Sequence, residues 1–356
     1  MADYPARVGA APTAGDRRRP VRRLAAVAIV LILIASAAVL YTLWPSPAPK
    51  LGAARQDGAF TITPLTTTGV NELAIDPQDG TVYACQSASK TLWALDKNTR
   101  KARAMDLTFY EMPSRIAVDP VNHLLYRTAT THGKGGNGSA EGIFTIIDPV
   151  TATTLATIKI GKSAGALAVD STGQYAYIAT DTGLSVVDLR ARRVAGTITA
   201  ASGIGNIAID STTNTIYATD YSAETITVVN VRTRTISDRI AMGRKISEIA
   251  VDAATRTVYT NDYGAGAVAV LEGSQHAAAA TVAVGSGPTG IVLDPATHEL
   301  FVANLKDGTV TVIDTTTKTM TATIKVGRSP FRLVLDAAAH TVYVSTQDGI
   351  EAITRT

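Results

Sequence analysis

Seven aspartates stand at the ends of seven similar apolar runs: Asp76, Asp119, Asp170, Asp210, Asp252, Asp294 and Asp336. An array of carboxylates could bind cations or move protons. Each of these, however, lies where an apolar run enters a turn, and there an Asp side chain accepts a backbone N–H two residues on. A structural role is expected for all seven. The histidines raise a metal hypothesis that their positions answer. His123, His298 and His340 each fall four residues after a motif aspartate, in a column filled elsewhere by Gly80, Gln174, Asn214 and Arg256, while His132 and His276 lie apart. Equivalent turns of separate repeats stand too far apart to share one zinc ion through bonds of about 2.0–2.1 Å. No metal or haem site is expected, and no cofactor.

The column just before the motif is chemically richer: Glu72, Arg115, Ala166, Asn206, Glu248, Gly290 and Arg332. Such a set can hold a polar ligand, or its acids and bases can neutralise one another as a structural ion-pair cluster. Familiar nucleophiles are missing. The chain has no Gly-x-Ser-x-Gly elbow. Its one cysteine, Cys85, sits in the strand-like run Thr81 to Cys85, where a buried inert thiol is expected and no intrachain disulfide can form. The glycine-rich stretch Gly133 to Gly138 lacks the Gly-Lys-Ser/Thr ending and following helix of a phosphate loop.

The elements that must position these residues are read from an internal repeat. Successive motif aspartates are 43, 51, 40, 42, 42 and 42 residues apart. Within the copy from Ile291 to Pro330, a first strand ends at Asp294. Others follow over Glu299 to Ala303, Gly308 to Asp314 and Thr321 to Val326. Each is short, rich in β-branched residues and bounded by turn formers. Four strands at this period describe one blade of a β-propeller. The seventh copy runs through Phe331 to Asp336, Thr341 to Ser345 and Ile350 to Thr354, then lacks a fourth strand before Thr356. Ala59 to Leu65 has the alternation of a strand and is expected to fill that place, closing the ring without an open edge.

The repeat resembles the YVTN-repeat β-propeller family and, more distantly, the lactonase-type and nitrite-reductase-type seven-bladed propellers. The resemblance covers Phe60 to Thr356. It rests on Phe301-Val302-Ala303-Asn304, Tyr217-Ala218-Thr219-Asp220 and Tyr259-Thr260-Asn261-Asp262, on Gly308 to Asp314, and on Ile324-Lys325-Val326-Gly327. The second copy, with Tyr126-Arg127-Thr128-Ala129, departs most. The resemblance implies a fold and an extracytoplasmic binding role, with no shared reaction.

Ahead of the repeats, residues 1–23 form a basic tail with six Arg and two Asp, which leaves a nearly neutral body of 27 basic and 28 acidic residues. With only 5% aromatics, that body offers neither a phosphate-tracking stripe nor a stacking platform, so nucleic acid is not an expected partner. Residues 24–44 are 21 positions without a charge, long enough to span a bilayer at about 1.5 Å per residue. Arg17, Arg18, Arg19, Arg22 and Arg23 precede them, which places the N-terminus in the cytoplasm and the body outside. Ala35-Ser36-Ala37 also resembles a signal-peptide cleavage site; anchored or secreted, the body is exported. Residues 45–58 read as a stiff Pro-rich spacer and 59–356 as the propeller.

In a propeller the first strand of each blade is innermost. The column of Glu72, Arg115, Asn206, Glu248 and Arg332 is therefore expected to ring the mouth of the central channel. The loops after the second strands, carrying Asp181, Asp220, Tyr221, Asp262, Tyr263, Asn304 and Gln347, belong on the same face, with the second-copy insertion that includes His132 and Lys134. The leading expectation is a membrane-anchored, non-catalytic recognition or scaffold module for a protein, peptide or envelope polymer. Two alternatives stay open: a lactonase-like hydrolase with Glu72, Asn206 and Glu248 around a divalent cation, and an accessory subunit of an envelope redox system.

Overall fold

A computed structural model describes residues 51–66, 68–85, 91–96, 99, 101–105, 107, 113–131, 140–200, 203–272 and 277–356. The basic tail, the expected anchor, residues 45–50 of the spacer, and His132, Lys134 and His276 lie outside the described residues. Among the described residues no helix is long and apolar enough to cross a membrane.

Among the described residues, twenty-nine strands form seven antiparallel sheets. Six sheets each take four consecutive strands, over residues 72–105, 113–161, 167–199, 204–241, 246–283 and 288–325; these are blades 1 to 6. Blade 7 joins the two ends of the described chain. Leu333–Asp336, Thr341–Thr346 and Gly349–Arg355 supply its inner three strands, and Phe60–Pro64 its fourth. The first strand of every blade contacts the first strand of the next, and that of blade 7 contacts that of blade 1, so the inner strands close a circle.

Burial explains the sequence pattern. Second and third strands are covered on both sides by neighbouring blades, and Glu299–Asn304 and Thr341–Thr346 are buried at every position. A doubly covered strand needs a continuous rather than an alternating apolar run. Fourth strands lie on the rim, and Thr319–Lys325 is mostly exposed. The core consists of seams between blades: Leu73, Val82 and Leu95 of blade 1 pack with Tyr343, Ile350 and Ala352 of blade 7. At about 1.5–3 kcal/mol for each large apolar side chain buried, these seams supply the main stabilisation.

The closing strand pairs with the C-terminal strand in register, Thr61 opposite Thr354 and Ile62 opposite Ile353. Ile62 is fully buried, and Phe60 meets Phe301 of blade 6 edge-on, ring centres 6.2 Å apart. Pairing also begins earlier than the sequence suggests. Arg55–Asp57, within the expected spacer, forms a fifth strand on blade 7 through a two-residue turn whose Gly58 adopts φ +59°. This strand latches onto blade 6. Arg55 Nη2 donates to the Lys325 carbonyl of blade 6 at 2.9 Å and Lys325 N donates to Asp57 Oδ2 at 2.8 Å, while Arg55 Nη1 donates to Glu351 Oε1 within blade 7 at 2.8 Å. A lone polar triplet gives no strand signal, so only the contacts reveal it.

All seven motif aspartates are buried. Their Oδ1 atoms accept backbone N–H groups of the turn: Gln78 for Asp76, Val121 for Asp119, Gly173 for Asp170, Thr212 for Asp210, Ala254 for Asp252, Ala296 for Asp294 and Ala339 for Asp336. The residue four positions on takes a left-handed conformation in every copy, Gly80, His123, Gln174, Asn214, Arg256, His298 and His340, with φ between 45° and 71°. The histidine column is thus a backbone position. His123 and His340 reach instead to the aspartate of the preceding blade, Nδ1 lying 2.9 Å from Asp76 Oδ2 and 2.8 Å from Asp294 Oδ2.

Candidate functional site: the channel mouth and its loops

The ladder between first and second strands slips at the mouth, between Pro113 and Arg115, Ile204 and Ile207, and Ile246 and Ile249. A bulge frees a backbone N–H and re-aims the side chain it carries. Here a polar side chain on the second strand takes up the freed group. Asn206 N donates to Thr219 Oγ1 at 2.9 Å, Glu248 N to Asn261 Oδ1 at 2.8 Å and Arg332 N to Ser345 Oγ at 2.8 Å. The same second-strand position bridges to the next blade, since Thr219 Oγ1 donates to the Ser247 carbonyl and Asn261 Nδ2 to that of Thr289. These supporting residues were missed in the sequence. Their signal was a small polar residue two positions after the repeated Tyr, in an otherwise apolar strand.

So aimed, the mouth residues meet across the ring. Arg332 of blade 7 donates from Nη1 to Glu248 Oε2 of blade 5 at 2.9 Å and from Nη2 to Glu72 Oε1 of blade 1 at 3.2 Å. Arg115 of blade 2 donates to the same Glu72 oxygen at 2.9 Å and lies 3.6 Å from Glu248 Oε1. Asn206 Nδ2 of blade 4 donates to Glu248 Oε2. The sequence allowed Glu72 to pair with its neighbours Arg115 and Arg332; Glu248, from farther round the ring, completes the set.

The network has two positive and two negative charges and lies largely out of solvent, with side-chain exposures of 4% for Glu72, 12% for Glu248 and Arg332, and 23% for Arg115. Burial alone would favour loss of the Arg332 proton, but Glu248 and Glu72 outweigh it and push its affinity for that proton above the ordinary value. Donors outnumber acceptors: the buried Nε groups of Arg115 and Arg332 have no hydrogen-bond partner. A divalent cation at Glu72, Asn206 and Glu248 would sit against two guanidiniums, so the donor set does not suit one. Among the described residues no three His, Cys, Asp or Glu side chains cluster as metal ligands. Cys85 is fully buried beside this network, and burial followed by the Glu72 charge pushes its thiol pKa up, away from the reactive thiolate.

The loops after the second strands do share the mouth face, because Ile204 pairs with Asp220 and Ile246 with Asp262 at that end of the blades. Their acids face the backbone. Asp220 accepts the N–H groups of Ser222 and Ala223, and Asp262 those of Gly264 and Ala265. Asn304 is fully buried and donates to Thr309 and Thr311 hydroxyls. Asp181 accepts the Lys162 N–H, tying its loop to the strand that leaves the preceding blade. The tyrosines remain half-buried and carry cations: Lys245 Nζ lies 5.3 Å from the Tyr221 ring centre and Lys306 Nζ 5.0 Å from that of Tyr263. Gly287, at φ +66°, passes beneath the second pair, where a Cβ would come within 3.1 Å of Lys306 and 3.3 Å of Tyr263.

No family model matches the sequence, and no curated protein does either. Solved structures do resemble the fold. A chain of Kuenenia stuttgartiensis hydrazine synthase superposes with a TM-score of 0.69 at 14% identity, over 82% of this chain and 96% of that one. A chain from the crystal structure of a mitotic checkpoint complex gives 0.68 at 14% identity, over 88% and 97%. At such identity the likeness is one of architecture, and the protein is a seven-bladed β-propeller.

Proposed function

We propose that this propeller is a recognition module of the YVTN-repeat type, carried outside the cytoplasmic membrane by residues 24–44, which holds a protein, peptide or envelope polymer on its mouth-side loops. The observation that carries this reading is the consumption of the mouth's charges on one another. With Glu72 and Glu248 occupied by Arg115 and Arg332, the mouth acts as a closed hub, and the accessible chemistry passes to the surrounding Tyr221–Lys245 and Tyr263–Lys306 pairs. An aromatic ring fixes an otherwise mobile ammonium at a gain of about 0.5–1 kcal/mol at an exposed site, leaving it ready for an anionic or carbonyl group. Such pre-arranged amphipathic side chains suit recognition more than turnover. One of the similar folds comes from an assembly, the mitotic checkpoint complex.

The test is site-specific photo-crosslinking in cells, with a photoreactive residue replacing Tyr221 or Tyr263, and replacing Val150 as a control on the opposite face. The reading expects adducts at the two loop positions that disappear when Lys245→Glu and Lys306→Glu are added. Adducts at Val150 alone, or adducts indifferent to the lysines, would place recognition elsewhere. Protease added to intact cells should digest the propeller; a protected body would refute export.

A further inference from the structure

On the face opposite the mouth, the seam between blades 2 and 3 forms a solvent-open groove of about 600 Å³. The turns after the first strands of both blades line it with Val121, Asn122 and Gln174, the second strand of blade 2 adds Leu124 and Tyr126, and the turn after the third strand of blade 3 adds Arg190 and Arg192. That volume suits a small organic molecule.

The next seam shows what can fill such a groove. Tyr175 of blade 3 occupies the position that Leu124 holds in blade 2, one residue after the left-handed turn residue. In the seam between blades 3 and 4 the Tyr175 ring lies beneath Arg234, whose guanidinium carbon is 5.5 Å from the ring centre and whose Nη1 donates to the Ala195 carbonyl. Arg192 repeats that arrangement one blade earlier. It adopts the same left-handed turn position, at φ 52° against 57°, and its Nη1 lies 3.5 Å from the equivalent carbonyl, that of Leu155. Only the ring is missing, because leucine is shorter and not aromatic.

The charges set the ligand's polarity. Arg190 and Arg192 are exposed and neither forms an ion pair among the described residues. The nearby acids are already engaged. Asp119 Oδ2 accepts from the Tyr126 hydroxyl and Asn122 Nδ2, its Oδ1 accepts the Val121 and Asn122 N–H groups, and Asp188 accepts the Ala191 N–H.

From this juxtaposition we propose that the groove between blades 2 and 3 binds a small aromatic carboxylate, its ring lying beneath Arg192 where Tyr175 lies in the neighbouring seam, and its anionic group paired with Arg190 and Arg192. Leu124 and Leu189 form the apolar floor, and the exposed Val121 stands at the rim. The site is independent of recognition at the mouth.

Equilibrium dialysis of the full chain in detergent, with indole-3-acetate as the probe and indole-3-acetamide as its neutral counterpart, tests the assignment. Saturable binding of the acid is expected with a Kd of about 1 mM, as suits a ligand of this size, and the amide should bind at least about tenfold more weakly. Arg190→Gln/Arg192→Gln should lose the preference for the acid. Leu124→Tyr, which fills the groove as blade 3 does, should abolish binding of both probes. Absence of saturable binding up to about 10 mM, equal binding of acid and amide, or unchanged binding by a folded Leu124→Tyr protein would each overturn the proposal. Should Leu124→Tyr fail to fold, the arginine variant decides alone, and retained preference for the acid refutes the site.

Discussion

Buried carboxylates occur on both faces of this ring, held by opposite strategies. On one face the seven motif aspartates each serve the turn that carries them, through backbone groups two or three residues away. At the mouth, Glu72 and Glu248 are stabilised by arginines 43 to 260 residues distant. The first arrangement survives in any single blade; the second exists only when the circle closes. The aspartates therefore act as local punctuation, and the mouth network as a fastening between blades 1, 2, 4, 5 and 7.

The largest effect should come from breaking the fastening. Arg332→Ala leaves two buried carboxylates with Arg115 as the one cation between them and should cost about 3–5 kcal/mol, read as a lower midpoint in urea. Removing one local acid should cost less. Asp119→Ala strands the Val121 and Asn122 N–H groups and the Tyr126 hydroxyl, at about 2–3 kcal/mol. Deleting only the hydroxyl is milder still: Tyr126→Phe should cost about 1 kcal/mol, since blade 6 already carries Phe301 at the equivalent position. If Tyr126→Phe matched Arg332→Ala, the distinction between local and ring-wide carboxylates would fail.

Acid sharpens the same contrast. Burial works against the charged form of Asp119, yet hydrogen bonds from Asn122, Val121, Tyr126 and Ser171 outweigh it and hold its carboxyl below the ordinary value of 3.8. Its contribution is then complete above about pH 4 and is lost as pH falls through the depressed folded-state value. The urea midpoint of the wild type should drop between pH 5 and pH 2, and Asp119→Asn should flatten part of that slope. The smallest effect belongs to His123, whose hydrogen bond to Asp76 raises its pKa above 6.5. That contribution is present below pH 6.5 and fades as pH rises through the raised value. Because the ring is solvent-exposed, the melting midpoint should change only slightly between pH 6 and pH 8, and His123→Asn should remove the change.

The sequence revealed most of the fold because the fold repeats. Apolar runs ending in Asp, at a spacing near 42, located every first strand, and the missing fourth strand of the last copy pointed to Phe60–Pro64. The mouth column was also legible, since position relative to a repeated motif fixes which end of an inner strand a residue occupies. What could not be read was pairing across the ring. Glu248 lies two blades from Arg332 and no spacing rule links them, so only the circle's geometry brings them within 2.9 Å. Asp220, Asp262 and Asn304 look like exposed loop polars, but the turns they begin draw their side chains inward. The Arg55–Asp57 strand escaped for a related reason, its stability coming from the Lys325 backbone and Glu351, some 270 to 296 residues away.

A double-mutant cycle on Arg332 and Glu248 tests the ring-wide fastening most directly, with Arg332→Met, Glu248→Gln and the pair compared by urea unfolding. The account expects a coupling of about 2 kcal/mol between two residues 84 positions apart. Additivity to within about 0.5 kcal/mol would contradict it, showing that the two side chains do not meet across the channel mouth.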